Sequence, residues 1–196
     1  SGLYDRVGSL WREPVNAPNA FLVRVSFGGR TLSTLDTPVE AHEQGLNLQA
    51  AEHFRDTRFS LGDGRGVRLR IERFLSVADV HVGAMRIALT ADSDGPVVLE
   101  TGIDGGVWDL NGPHLENFQG RADDGLLVLA SRAQEKKIPV VVAEARTGGP
   151  GKEEIVPSAH SIVRRIQFDA RAGETYTLTK SIAVFTGLDG TASPAA

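Results

Sequence analysis

Apolar and polar residues alternate along most of this chain. The period is two, the spacing that sends successive side chains to opposite faces of a half-buried strand. Phe21, Val23, Val25 and Phe27 share one face, and Leu22, Arg24 and Ser26 the other. Gly28-Gly29 follows, a pair suited to the positive φ angles of a tight hairpin, and Arg30-Thr31-Leu32 returns. Residues 55–61 and 66–74 form a second hairpin across Gly62-Asp63-Gly64. In its returning strand Val67, Leu69 and Ile71 oppose Arg68, Arg70 and Glu72. Strict alternation would then put Arg73 on the apolar face and Phe74 on the polar one, so a bulge or strand end is expected there.

The same alternation sets Met85, Ile87 and Leu89 against Arg86, Ala88 and Thr90, and Val97, Leu99 and Thr101 against Val98 and Glu100. Residues 126–130 and 140–143 are apolar on both faces, which predicts inner strands covered on each side. A long final strand places Tyr176, Leu178, Ile182 and Val184 opposite Thr175, Thr177, Thr179 and Ser181. Helix signals are poor. Residues 39–52 hold at most a short helical piece, interrupted by Gly45. Residues 92–96, 111–113 and 147–152 read as turns, with 147–151 (TGGPG) the most flexible. A Gly-Ile-Asp-Gly turn is expected at 102–105. The pattern predicts an all-β fold, a large antiparallel β-sandwich over residues 1–187, with 188–196 a linker or frayed tail.

Composition changes this picture little. Hydrophobic residues make up 41% of the 196 residues and charged ones 23%, ordinary for a globular protein, so one core can form without staples. A net charge of −4 gives no basic footprint for nucleic acid. No apolar run approaches the roughly 20 residues of a membrane helix. With no cysteine there is no disulfide or thiolate metal site. The five histidines are too dispersed for a metal site, and no cofactor motif is present. Gly62-Asp63-Gly64-Arg65-Gly66 has phosphate-loop glycine density but lies between strands, not before a helix, and reads as a hairpin tip.

Five segments occur in an order that resembles the N-terminal β-domain of glycoside hydrolase family 65, the disaccharide phosphorylases and hydrolases. They are Gly2-Leu3-Tyr4-Asp5 with Arg12-Glu13-Pro14-Val15-Asn16-Ala17-Pro18-Asn19; Glu72-Arg73-Phe74-Leu75-Ser76 with Asp79-Val80-His81; Glu100-Thr101-Gly102-Ile103-Asp104-Gly105; Pro113-His114-Leu115; and Lys180-Ser181-Ile182-Ala183-Val184-Phe185-Thr186. The chain departs from the family at Thr186-Gly187-Leu188-Asp189, where Thr-Ser-Arg-Asp is commoner. It also lacks the glycine-rich segment that precedes Gly-Leu-Tyr-Asp, so the sandwich could be incomplete at its N-terminus.

The resemblance implies a galactose-mutarotase-like super-sandwich that packs on an (α/α)6-barrel catalytic domain. The barrel would carry the general-acid glutamate and the phosphate or water site, so no catalytic residue is assigned here. The implied role is a non-catalytic fragment of an enzyme acting on α-glucosidic disaccharides: a cytoplasmic scaffold, partnered by the absent barrel. Severed from it, such a domain would expose apolar surface and could form a homodimer. The alternative is a stand-alone carbohydrate-binding module.

Candidate substrate-binding residues gather in one loop, GVWDLNGPHLENF: Trp108, Asp109, Asn111, His114 and Glu116. An aromatic ring can stack on a sugar while amide, carboxylate and imidazole groups fix its hydroxyls. The competing reading has Trp108 packed beneath a Gly-Pro turn. Asp79 and His81 could form an acid–base pair, but a backbone-capping Asp79 is the simpler account. A His-plus-Glu pair could run mutarotase-like ring opening, though no spacing points to one. Arg55, Arg58, Arg68, Arg70 and Arg73 crowd the second hairpin with Asp56 and Glu72. Cross-strand pairing on a solvated face, worth about 0.2–1 kcal/mol a pair, explains them, and a domain or subunit interface is the alternative.

Overall fold

The computed structural model describes residues 2–189, so positions 190–196 of the tail predicted at 188–196 lie outside the described residues. The strands in chain order are β1 (Tyr4–Asp5), β2 (Glu13–Pro14), β3 (Asn19–Phe27), β4 (Arg30–Thr31), β5 (Val39–Asn47), β6 (Glu52–Gly62), β7 (Arg65–Leu75), β8 (Val82–Ala91), β9 (Gly95–Asp104), β10 (Leu115–Asp123), β11 (Leu126–Ala133), β12 (Pro139–Gly148), β13 (Lys152–Pro157), β14 (Ser161–Ala170) and β15 (Thr175–Thr186). No helix occurs among the described residues. β1 and β2 form a short ribbon. An eight-stranded sheet runs β10-β11-β12-β15-β8-β7-β6-β5 and a five-stranded sheet β13-β14-β9-β3-β4. Every pairing is antiparallel.

Apolar faces of the two sheets meet as the alternation predicts. One cluster joins Val25, Phe27, Val97, Leu99 and Ile166 of the smaller sheet to Phe59, Val67, Leu69, Ile71, Met85, Ile87, Leu89 and Leu178 of the larger. A second joins Ala20, Ile103 and Ile162 to Leu127, Leu129, Val142 and Ile182. Both glycine hairpins form, and Gly28, Gly29, Gly62 and Gly64 all have positive φ.

Between the two clusters lies a polar belt. Three strands carry one polar residue flanked two positions away by apolar ones from each cluster: Leu99-Thr101-Ile103 in β9, Ile162-Arg164-Ile166 in β14, and Leu178-Lys180-Ile182 in β15. Glu144 follows Val142 on β12. Glu144, Lys180, Arg164 and Thr101 are all fully buried. Lys180 Nζ stands 3.2 Å from Glu144 Oε2, an ion-pair distance without hydrogen-bond alignment. It donates to the carbonyls of Leu22 at 3.4 Å and Gly102 at 3.5 Å. Arg164 Nε lies 3.5 Å from Glu144 Oε1, and Thr101 Oγ1 donates to the same oxygen at 3.4 Å. Arg164 also pairs with Glu153, which is held in turn by Arg146 at 2.5 Å. Charge therefore alternates inward from Arg146 to Lys180. Burial pushes the Lys180 amine down, and Glu144 restores part of the loss.

Several expectations are corrected. Residues 39–52 are not helical: β5 pairs with β6 along its length. Gly45, the supposed interruption, faces Phe54, whose ring would lie 3.0 Å from an added Cβ. Inter-strand pairing overrides the weak helical pattern there. No bulge occurs at Arg73 and Phe74. β7 and β8 stay in register from Val67 to Leu75, so Arg73 takes the inner face and Phe74 sits outside, 46% exposed. The irregularity falls instead between Ser60 and Gly62. The Gly-Ile-Asp-Gly segment is no turn: Gly102 to Asp104 are strand. Gly102 is needed because an added Cβ would meet the Ile162 carbonyl oxygen at 2.3 Å. β11 and β12 are inner strands, but their second face is only partly covered: Val128 is buried, while the half-buried Ala130 and Val141 line a hollow of about 600 Å³. On β15 the apolar face also carries the buried Lys180.

Breaking a buried ion pair strands the surviving charge. Glu144→Ala is expected to cost about 3–5 kcal/mol. Lys180→Met, which leaves Glu144 with Arg164 and Thr101, should cost less, and Glu144→Gln combined with Lys180→Met should recover much of the loss. Urea midpoints measure all three. A Glu144→Ala loss no greater than that of an exposed substitution would remove the belt from the list of stabilising features.

Candidate functional site

Residues 2–18 form a strap that ties down the loop between β9 and β10. Buried Glu13 is its main anchor. Its Oε1 accepts from the Asn111 backbone N–H at 2.8 Å, and Oε2 from the Asn111 side-chain amide at 2.9 Å. His114 Nε2 lies 2.8 Å from Oε1. Burial pushes the Glu13 carboxyl up, but the bonds from His114 and Asn111 outweigh it and hold it below the ordinary carboxylate range. Asp5, wholly buried, accepts from the backbone N–H groups of Gln134 at 2.9 Å and Glu135 at 3.1 Å. Asn16 completes the strap: its N–H donates to Asp109 Oδ1 and its amide to the Trp108 carbonyl, both at 3.0 Å. Leu3, Leu115, Ala133 and Val140 pack beneath.

The loop is thus rigidly braced, yet its tip is open. Trp108 is 71% exposed and Leu110 85%. Asp109 and Gly112 bridge backbone to backbone, with Gly112 at φ 114°. Trp108, Val107 and Asn16 to Phe21 line a groove of about 440 Å³, closed by Ile182 and Val184.

Of the five residues singled out from sequence, Trp108 alone turns an open side chain to this groove. The reading that packs Trp108 beneath the turn is therefore corrected: the strap braces the loop through polar atoms, and the ring lies open beside the groove. Asp109 is buried on Asn16 and Asn111 is engaged by Glu13. His114 is sealed at 1% exposure. Glu116 pairs with Arg132 at 3.0 Å and Lys137 at 2.8 Å. Glu13, Asp5 and Asn16 were missed. Their partners are about 90 to 130 residues away, and no local spacing signals that.

Asp79 accepts from the His81 backbone N–H at 3.0 Å, as the capping account expects, although in a turn and not a helix. His81 Nδ1 lies 2.9 Å from the Val184 carbonyl and its ring stacks on Phe185 at 4.3 Å. Among the described residues no cluster of histidine and carboxylate side chains could hold a metal ion, and no helix is long and apolar enough to cross a membrane.

Fold and loop together define a class: an antiparallel sandwich domain carrying one braced aromatic loop. The chain belongs to glycosyl hydrolase family 65, its residues 1–196 matching the family's N-terminal domain. It is 28% identical over 213 residues to nigerose phosphorylase of Lachnoclostridium phytofermentans, covering 96% of this chain and 28% of that enzyme. It is 25% identical to 1,2-alpha-glucosylglycerol phosphorylase of Bacillus selenitireducens, covering 95% and 24%. With kojibiose phosphorylase of Halothermothrix orenii the identity is 24%, covering 96% and 25%. The solved structure "Putative kojibiose phosphorylase from human microbiome" superimposes with a TM-score of 0.85 at 14% identity, over 97% of this chain and 26% of that one. The chain spans about a quarter of the length of these curated relatives.

Because the Glu13 pKa lies below its ordinary value of 4.5, the unfolded chain binds the extra proton. Its contribution is therefore complete above that value and lost as pH falls through the folded one. Acid unfolding should steepen below pH 4.5. Glu13→Gln should be less stable at neutral pH yet lose less on acidification, as read by urea midpoints across the acid range. Equal slopes for the two proteins would remove Glu13 from the acid response.

Proposed function

We propose that this chain is the non-catalytic β-domain of a longer phosphorylase or hydrolase acting on α-glucosidic disaccharides, and that it serves as scaffold and interdomain contact. The observation that carries the reading is the sealed His114–Glu13 pair. It is the imidazole–carboxylate couple that could move protons on a sugar, and it is buried and spent on loop bracing. Sugar cleavage by inversion needs a carboxyl proton donor on one side of an open site and, on the other, phosphate or a water activated by a second carboxylate, and the braced loop offers an open aromatic ring in their place. The coverage of the relatives supports the same view, since about three quarters of such an enzyme lies outside the matched region. In this reading the catalytic barrel is the partner, and the exposed Trp108 and Leu110 contact it or the substrate at its entrance.

One observation favours a second reading, a carbohydrate-binding module: Trp108 is open beside a groove. Titration calorimetry separates the two. A scaffold gives no heat with kojibiose, nigerose or maltose. A binding module gives heat that disappears in Trp108→Ala.

The chain is expected to release neither glucose nor glucose 1-phosphate from these sugars, with or without phosphate. Product above blank would overturn the non-catalytic assignment.

A further inference from the structure

The five-stranded sheet does not reach the far edge of the eight-stranded one. Along β5 the side chains are nearly all exposed, and along β6 and β7 the inner face turns from apolar at Phe59, Val67 and Leu69 to cationic at Arg55 and Arg73. The register fixes the layout. Gln44 stands opposite Arg55, and Arg55 opposite Ile71. His53 stands opposite Arg73, and Arg73 opposite Met85. With Asn19, Phe21, Leu22 and Val23 of β3, these residues line a cleft of about 250 Å³. The Arg73 guanidinium lies over the Phe21 ring at 5.7 Å.

This cleft lacks the acids its cations call for. The chain holds 25 acidic against 21 basic side chains, so carboxylates are not scarce. On the same hairpin Arg58 pairs with Glu40 and Asp92, Arg68 with Asp56, and Arg70 with Asp56 and Glu72. Asp56 and Glu72 stand on the opposite face of the sheet, one residue out of phase with Arg55 and Arg73. Among the described residues neither Arg55 nor Arg73 meets a carboxylate. The Arg73 charge and, more strongly, burial both push the Arg55 guanidinium below its ordinary value. His53 Nδ1 is buried with no hydrogen-bond partner.

We propose that this cleft binds a small oxyanion of the phosphate class, either free phosphate or a phosphoryl group on a sugar. Two guanidinium forks can each give paired N–H donors to such an ion. His53 Nδ1, when protonated, and the Asn19 and Gln44 amides add donors, while Phe21, Leu22, Ile71 and Met85 limit water and so strengthen each contact. The site is separate from the Trp108 loop and goes beyond the scaffold reading. Failure here would leave that reading intact.

The test is thermal unfolding of this chain against rising inorganic phosphate, with ionic strength held by chloride. The melting midpoint should rise and saturate. Arg55→Gln and Arg73→Gln should each weaken the phosphate response about tenfold or more, the loss of one charge-assisted contact. Both should also raise the phosphate-free midpoint, because they relieve like-charge repulsion, which a merely structural arginine would not do. Arg86→Gln, on the outer face, should keep the response. Tighter binding of glucose 1-phosphate than of phosphate assigns the sugar ester, and equal or weaker binding assigns free phosphate. Either supports the proposal. A rise reproduced by chloride, unchanged affinity in both variants, or stronger binding of a dicarboxylate overturns it. Should the variants not fold, saturable phosphorus NMR line broadening with the unmodified chain, reversed by sulfate, decides, and its absence also overturns the site.

Discussion

Glu144 faces two cations, Lys180 and Arg164, in a place where none of the three reaches solvent. Each charge costs several kcal/mol to desolvate, so Glu144 is tolerable only beside a cation, Lys180 only beside Glu144, and Arg164 only with Glu144 or Glu153. That requirement reaches four strands, because Glu144 lies on β12, Lys180 on β15, Arg164 on β14 and Thr101 on β9. A slip of one residue in any of them would turn its polar group outward and strand the others. Apolar residues alone would accept many registers of these Val- and Ile-rich strands. The belt accepts one. It also explains Gly102, where the β9 backbone must approach β14 closely while its carbonyl takes a hydrogen bond from Lys180.

The segments that resemble the family serve this architecture. Asp5 and Glu13 hold the strap, His114 receives it, Gly102 and Gly105 allow close approach, and Lys180 anchors the belt. Gly105 is as constrained as Gly102: an added Cβ would lie 2.4 Å from the Phe118 ring. The likeness within this domain is thus a likeness of scaffold. A few buried polar contacts and close-packed glycines hold strand order, while most other positions need only the right polarity. That is consistent with a TM-score of 0.85 at 14% identity.

Alternation made most strands legible, because period two reports burial directly. It failed where burial is not the deciding force. The edge strand β5 is exposed on both faces, so its residues carry no period, and only pairing with β6 fixes it. Arg73 looked like a broken pattern because an arginine on an inner face suggests an error, when the covering sheet in fact stops short of it. Lys180, between Leu178 and Ile182, carries no local sign of burial, because its partners Glu144, Leu22 and Gly102 come from other strands. In the loop, the pattern alone could not separate an open from a packed Trp108, and His114 was not legible as a buried residue. Its environment is set by Glu13, 101 residues away.

Both surfaces of functional interest share the start of β3. Asn19 and Phe21 line the groove beside Trp108 and also the cationic cleft. The register with β9 shifts between Asn19 and Leu22, so the strand bends there and presents neighbouring side chains to two different openings. The groove side is braced by the hydrogen bonds of Glu13, Asp5 and Asn16 and can present a fixed apolar ring. The cleft side holds unmatched charge that the sandwich tolerates at some cost in stability. Phe21 belongs to both, packing against the two main core clusters while its ring supports Arg73. A ligand that orders Arg73 therefore acts on the same side chain that walls the Trp108 groove, which makes the bend in β3 the physical link between the two surfaces.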